Sequence, residues 1–144
     1  MNWKMRGFTL IELIVVILIL GILAAIAAPR FVDLTGQARI AALNGLRAAV
    51  SSAATLANAL QVAQGLTANQ AVTIEGATVL MTNGYPSQAA GGIDAAVRFD
   101  TATFETNGNM TFRMKAQTGC SFLYTAAAFT TQPPVIAAVA TGGC

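Results

Sequence analysis

Few side chains in this sequence could do chemistry, and their spacing restricts them further. None of the 144 residues is histidine, which removes the commonest general base and the commonest metal ligand. Serine and threonine are plentiful, but a Ser–His arrangement is impossible. A Ser–Lys pair would have to use Lys115, the only lysine after Lys4, and nothing marks a partner serine. The two cysteines, Cys120 and Cys144, are too far apart for a CxxC redox motif and too few for a structural zinc site. In an exported chain such a pair forms one disulfide, and in a cytosolic chain it is two unrelated thiols. Asn109-Met110-Thr111 matches a glycosylation sequon, a triplet common enough by chance to carry little weight. The expectation is no catalytic residue, no cofactor and no metal: the chain is not an enzyme.

One carboxylate is out of place. Glu12 lies five residues into a stretch, Phe8 to Ala28, that is apolar except for Thr9 and Glu12 itself. As a helix this stretch spans about 31 Å, close to the roughly 30 Å hydrocarbon core of a bilayer. Lys4 and Arg6 precede it, so residues 1–7 stay cytoplasmic and the rest is sent outward. An ordinary signal peptide cut near Ala25, Ala27 and Ala28, a plain signal anchor and a buried core helix all compete for this segment. Glu12 argues against all three, because an acidic residue near mid-span costs roughly 2.5–3.5 kcal/mol, less toward the ends, and such a charge usually has a partner. No basic side chain lies within the run. Cleavage after Gly7 would supply a cation, the new ammonium of Phe8, four residues from Glu12 or on a neighbouring copy. An amine and a carboxylate 4 Å apart attract by about 4 kcal/mol at an effective dielectric of 20, before desolvation is counted.

Lys4-Met5-Arg6-Gly7-Phe8-Thr9-Leu10-Ile11-Glu12, followed by an apolar run of this length, resembles the class III leader of type IV prepilins and pseudopilins. The resemblance implies cleavage between Gly7 and Phe8 by a prepilin peptidase and N-methylation of Phe8. It also implies that Glu12 pairs with a neighbouring subunit's N-terminus during assembly. Gly21 and Pro29 fall where such helices commonly carry a helix-weakening pair.

Length and composition set the frame for the remainder. The chain is long enough for one domain with a real core and too short for two. It is 55% hydrophobic and 10% charged, and part of the apolar excess sits in the N-terminal block. Without Lys4 and Arg6 the basic and acidic side chains balance, which leaves no basic stripe for nucleic acid. Pro29 reads as a helix breaker or kink. Beyond it Leu43, Leu46, Val50, Ala53, Ala57 and Leu60 form one apolar stripe, with Arg39, Arg47, Ser51, Asn58 and Gln61 on other faces and Gly65 as the stop. From Ala71 the signals change to strands. A hairpin is expected around Glu75-Gly76-Ala77, a turn at Asn83-Gly84-Tyr85-Pro86 and a short helix over 93–97. A second hairpin is expected on Asn107-Gly108-Asn109, followed by strands over 120–124 and 135–139.

The fold class is α+β. A long N-terminal helix, apolar in its first half and amphipathic in its second, packs on an antiparallel sheet of about four strands, with a C-terminal disulfide loop. Closing a loop of about 25 residues through Cys120 and Cys144 adds roughly 3.5 kcal/mol on a chain-entropy account. The boundaries are a cleaved leader over 1–7, a transmembrane and polymerisation helix over 8–35, and a globular head over 36–144. Tyr85-Pro86 after a glycine, and Pro133-Pro134 leading to a terminal Gly-Gly-Cys, look most like the mannose-sensitive haemagglutinin type of major pilin.

The resemblance implies a homopolymer on the cell surface, for adhesion or motility, reached from a single-pass inner-membrane state through the prepilin peptidase and pilus assembly machinery. A pseudopilin of a type II secretion system is the alternative within the class. Such proteins bind calcium in a C-terminal acidic loop, whereas this chain has Asp94 and Asp100 but no acidic residue after Glu105. From a different class, the alternative is a signal-anchored monomeric periplasmic binding module, which offers Glu12 no partner.

Overall fold

The computed structural model describes residues 8–144, leaving aside the side chains of residues 28–33. Lys4, Arg6 and Gly7 therefore lie outside the described residues, as does the side chain of Pro29. One helix, α1, runs Leu10–Ala63, so Gly21 and Pro29 do not end it. The chain divides into two compact units, one ending at Gly36 and the other spanning Gln37–Cys144.

The first unit is helical from Leu10 onward, and every side chain described in it from Phe8 to Ala27 is exposed. Leu10–Ala27 is long and apolar enough to cross a membrane. A helix satisfies every backbone amide internally, and the β-branched residues Ile14, Val15, Val16, Ile17 and Ile19 lie within it.

In the second unit α1 supplies one wall of the core. Leu43, Leu46, Val50, Ala54 and Ala57 are buried, followed by Gln61. The sequence pattern placed Ala53 and Leu60 in this stripe, and both are only half-buried. The reason is geometric. A 3-4-3-4 spacing repeats every 3.5 residues and slips by about 20° per heptad on a straight helix, so the buried face moves on to the next residue. The helix then closes with a Schellman motif: Leu66 N donates to Gln61 O and Gly65 N to Val62 O, with Gly65 at φ 65°.

Eight strands follow. β1 (Val72–Ile74) and β2 (Ala77–Val79) form an antiparallel ribbon, and β3 (Met81–Thr82) and β4 (Tyr85–Pro86) form another. Their turns, Glu75-Gly76 (φ 48° and 83°) and Asn83-Gly84 (φ 53° and 87°), have positive φ at both positions, the signature of the type I′ hairpin. Tyr85-Pro86, expected within a turn, is thus the second strand of a hairpin. After α2 (Ile93–Ala96) come β5 (Phe104–Thr106), β6 (Thr111–Met114), β7 (Ser121–Thr125) and β8 (Val135–Ile136), an antiparallel sheet in that order. The last strand is shorter than its apolar run, and pairing resumes only at an isolated bridge between Ser121 and Ala140.

Alternation along β7 turns Phe122 and Tyr124 inward and Leu123 outward. Phe112 of β6 stacks on Phe122 with ring centroids 5.1 Å apart, and Phe99 meets Phe112 edge-on at 5.8 Å. These rings pack with Leu43, Leu46, Val50 and Ala54, and each fully buried large side chain contributes about 1.5–3 kcal/mol. A second cluster, Ala57 with Val72, Val79 and Met81, seats the first ribbon. The Tyr124 hydroxyl donates to Pro86 O at 2.7 Å, which ties the sheet to β4.

Candidate functional site

The two sequence features with chemical meaning, Glu12 and the cysteine pair, fall in different units. Thr9 is the N-cap of α1, and its carbonyl accepts the first helical bond, from Leu13 N at 3.3 Å. Glu12 N donates to Thr9 Oγ1 at 3.3 Å, while Thr9 N and Oγ1 donate to Glu12 Oε2 at 2.9 and 2.8 Å. This is a capping box, Thr-x-x-Glu, in which each residue satisfies the other's backbone donor. Glu12 therefore has a partner within its own chain, so its place in the apolar run does not by itself require one on a neighbouring copy. The signal was in the sequence, as a Thr followed three residues later by Glu at the head of an apolar run. Among the described residues Glu12 Oε1 accepts no hydrogen bond. A shallow apolar hollow beside the carboxylate is lined by Phe8, Ile11, Val15 and Val16. One turn further on, a second is lined by Ile14, Leu18, Gly21 and Ala25 among others. A methyl group on Gly21 would meet no atom within 4 Å, so packing in a single chain does not demand glycine there.

In the second unit Cys120 and Cys144 form the expected disulfide, with Cα atoms 4.7 Å apart. Their preceding residues, Gly119 and Gly143, make that approach possible. A Cβ on Gly143 would lie 2.5 Å from Gly119 Cα, and Gly143 N donates to Gly119 O at 3.2 Å. The bond encloses β7, β8 and the intervening loop. Two arginines of α1 grip the loop's carbonyls: Arg39 Nη1 donates to Cys144 O at 2.7 Å, and Arg47 donates through Nε to Ala137 O at 2.8 Å and through Nη2 to Ile136 O at 3.2 Å. Further along, Asn58 Nδ2 donates to Gly84 O at 2.7 Å, and Gln61 Nε2 to Gln70 O at 2.8 Å.

The 3-4 spacing sets these polar residues on faces other than the apolar stripe, whereas in the structure they reach the head's backbone. At about 100° per residue, positions 39, 47, 58 and 61 all lie within about 80° of the buried stripe's centre, close enough for long side chains to reach the head's backbone. Their angular position was the available signal. Gln61 is only 2% exposed, and its hydrogen bond to Gln70 O explains how an amide is accommodated there.

Asp100 accepts from Thr103 Oγ1 at 2.6 Å and from Ala102 N at 2.9 Å, and these bonds hold its carboxyl below the usual range. Both oxygens are thus engaged in its own turn. Burial, with Tyr85 nearby as a lesser cause, pushes the Tyr124 hydroxyl well above its ordinary value. Glu105 and Arg113, directly opposite each other on β5 and β6, form an ion pair at 2.7 Å. Among the described residues no group of three or more His, Cys, Asp or Glu side chains is placed to hold a metal ion.

Comparison with known proteins finds a family model within the first unit and relatives whose matches are longer than that unit. The model of the prokaryotic N-terminal methylation motif matches residues 4–28. The chain is 59% identical over 54 residues to the type IV narrow pilus major component PilA5 of Thermus thermophilus, a match covering 38% of this chain and 47% of that protein. It is 55% identical over 40 residues to the type IV major pilin protein PilE1 of Neisseria gonorrhoeae, covering 28% of this chain and 24% of that protein. It is also 58% identical over 38 residues to the fimbrial protein EcpB of Eikenella corrodens, covering 26% of this chain and 24% of that protein. The chain thus spans about half or less of the length of these relatives. They are pilin and fimbrial proteins, not enzymes. No solved structure matches the chain.

Proposed function

We propose that this chain, which carries the N-terminal methylation motif of type IV pilins and is homologous to them, is a structural subunit of a cell-surface type IV pilus. It polymerises through residues 8–35, is most like the mannose-sensitive haemagglutinin type of major pilin, and serves adhesion or motility. The observation that carries this reading is the exposure of every described side chain from Phe8 to Ala27 on an otherwise apolar helix. A surface of that extent has to be covered by something. Lipid covers it while the chain is held by one span in the inner membrane, and the helices of other copies cover it in the fibre.

The remaining roles follow from this frame. Residues 1–7 are the leader, which a prepilin peptidase removes between Gly7 and Phe8. Phe8 is then N-methylated. Residues 36–144 form the head outside the membrane. Glu12 Oε2 stays in the Thr9 cap, and Oε1 takes the Phe8 ammonium of a neighbouring subunit as each copy joins. Gly21 and Pro29, worth about 1 and 3 kcal/mol of lost helix propensity, allow the segment between them to stretch once neighbouring subunits replace lipid.

The test is the intact mass of the subunit in filaments sheared from cells. A chain lacking residues 1–7 and carrying one methyl group on Phe8 is expected. A chain that starts at Met1 or after Ala28 would overturn both the processing and the pilus assignment.

A further inference from the structure

The head carries two Asn-Gly pairs in hairpin turns, Asn83-Gly84 and Asn107-Gly108, and the structure treats them in opposite ways. An Asn-Gly pair can modify itself. The Gly backbone nitrogen, on losing its proton, attacks the Asn side-chain Cγ; the new N–Cγ bond forms, the Cγ–Nδ2 bond breaks, and ammonia leaves. Water then opens the five-membered imide at either carbonyl to give aspartate or isoaspartate. Overall, one water enters and one ammonia departs, with no oxidation.

Three requirements govern the rate: a free nucleophilic N–H, a leaving amide that is not anchored, and donors for the negative charge that develops on Oδ1. At Asn83 none is met. Gly84 N donates to Ala68 O at 2.7 Å, so the nucleophile is engaged. Asn83 Nδ2 donates to Ala127 O at 3.0 Å and to Ala128 O at 2.9 Å, which anchors the leaving group. Among the described residues Asn83 Oδ1 accepts no hydrogen bond. At Asn107 all three are met. Among the described residues Gly108 N and Asn107 Nδ2 have no partner, both residues are exposed, and a Cβ on Gly108 would meet nothing within 4 Å. Asn107 Oδ1 accepts from Asn109 N at 3.1 Å and from Thr111 N at 2.9 Å. Two backbone donors at such distances form the arrangement that stabilises an oxyanion when a carbonyl is attacked.

We propose that Asn107 is a self-modification site, converting to aspartate and isoaspartate with water as the only co-reactant, while Asn83 is protected by its hydrogen bonds. The consequence is local and chemical. Each conversion adds one negative charge to a head that carries five basic side chains (Arg39, Arg47, Arg98, Arg113, Lys115) and four acidic ones (Glu75, Asp94, Asp100, Glu105). The isoaspartyl product also adds a backbone carbon to the turn that holds Met110, 2% exposed at φ 53°, in the core.

The experiment incubates the purified full chain in detergent at mildly alkaline pH, with a parallel sample unfolded in denaturant. Conversion at each asparagine is followed by peptide mass mapping and by labelling with an isoaspartyl methyltransferase. In the folded chain Asn107 should convert at least about tenfold faster than Asn83, a modest fraction of what one oxyanion donor is worth in an enzyme. In denaturant the gap should close, mainly because Asn83 speeds up. Gly108→Ala should slow Asn107 without altering the helical circular dichroism signal. Equal rates at the two sites in the folded chain, or an Asn107 that converts more slowly folded than unfolded, would overturn the proposal.

Discussion

The two units of this chain handle polar and apolar surface in opposite ways. The first leaves apolar side chains exposed along its helix, and among the described side chains from Phe8 to Ala27 the polar contacts lie in one capping box, Thr9 with Glu12. The second buries its apolar stripe and places polar groups of α1 on backbone carbonyls of the head, through Arg39, Arg47, Asn58 and Gln61. One helix therefore carries an uncovered apolar surface in one unit and a finished core wall in the other. The lesson is that helical propensity does not distinguish these roles. What distinguishes them is whether long polar side chains flank the apolar stripe and find carbonyls to bind.

The largest expected effect that would break this contrast is loss of the disulfide. Cys120→Ser with Cys144→Ser should destabilise the second unit by roughly 3.5 kcal/mol on the chain-entropy account, while the helix of the first unit stays unchanged. Denaturant unfolding followed by Tyr and Phe signals from the head, alongside circular dichroism, checks both halves of the statement. A simultaneous loss of all helix would show that the units are not independent.

A smaller effect is expected at Arg47. Arg47→Ala removes two charge-assisted bonds to Ala137 O and Ile136 O and should cost about 1.5–3 kcal/mol. Hydrogen exchange should then speed up over residues 135–144 before it does in β5 and β6. Arg47→Lys should restore only part of the loss, since a single ammonium does not reproduce the two-pronged guanidinium contact.

The smallest effects concern pH, and they differ in sign. Tyr124 is held protonated by burial, so its folded value is raised. Its contribution is intact below the ordinary tyrosine value near pH 10 and is lost as pH rises beyond it. Asp100 is shifted the other way: its contribution is present above the ordinary aspartate range and is lost as pH falls through its folded value. Head stability measured against pH should therefore show a decline beginning near pH 10 that Tyr124→Phe removes. The acid limb should be shallow, because Asp100 is exposed.

Much of this was legible in the residue order, for physical reasons that can be named. A 21-residue apolar run preceded by Lys4 and Arg6 admits few interpretations, and Asn107-Gly108 between alternating runs marks a hairpin, although the residue that takes the left-handed conformation there is Met110 at φ 53°. Other features depend on three-dimensional facts that spacing does not contain. The buried face passes through Ala54 and Gln61 instead of Ala53 and Leu60 because a 3.5-residue repeat drifts on a 3.6-residue helix. The early strands close on themselves as two ribbons because two-residue type I′ turns pair each strand with its immediate neighbour. Spacing places Arg39 and Arg47 off the apolar stripe and does not show their carbonyl partners, which lie 105 and about 90 residues away in sequence. The capping box at Glu12 is legible as well, as Thr9-Leu10-Ile11-Glu12 at the head of an apolar run.

The same capping box supplies the sharpest experiment. Glutamine can serve at the third position of a capping box as glutamate does, but it carries no charge. Glu12→Gln therefore keeps the cap with Thr9 and removes only the charge offered to a neighbour's Phe8 ammonium, whereas Glu12→Ala removes both. Surface filaments should be quantified against the membrane pool of subunit in the two variants. The account predicts a normal membrane pool and cleavage after Gly7 in both, with filament yield at least about tenfold lower even in Glu12→Gln, since about 1.4 kcal/mol per joining subunit gives that factor. Normal filament yield from Glu12→Gln at a normal subunit level would contradict it, and would leave Glu12 with a capping role alone.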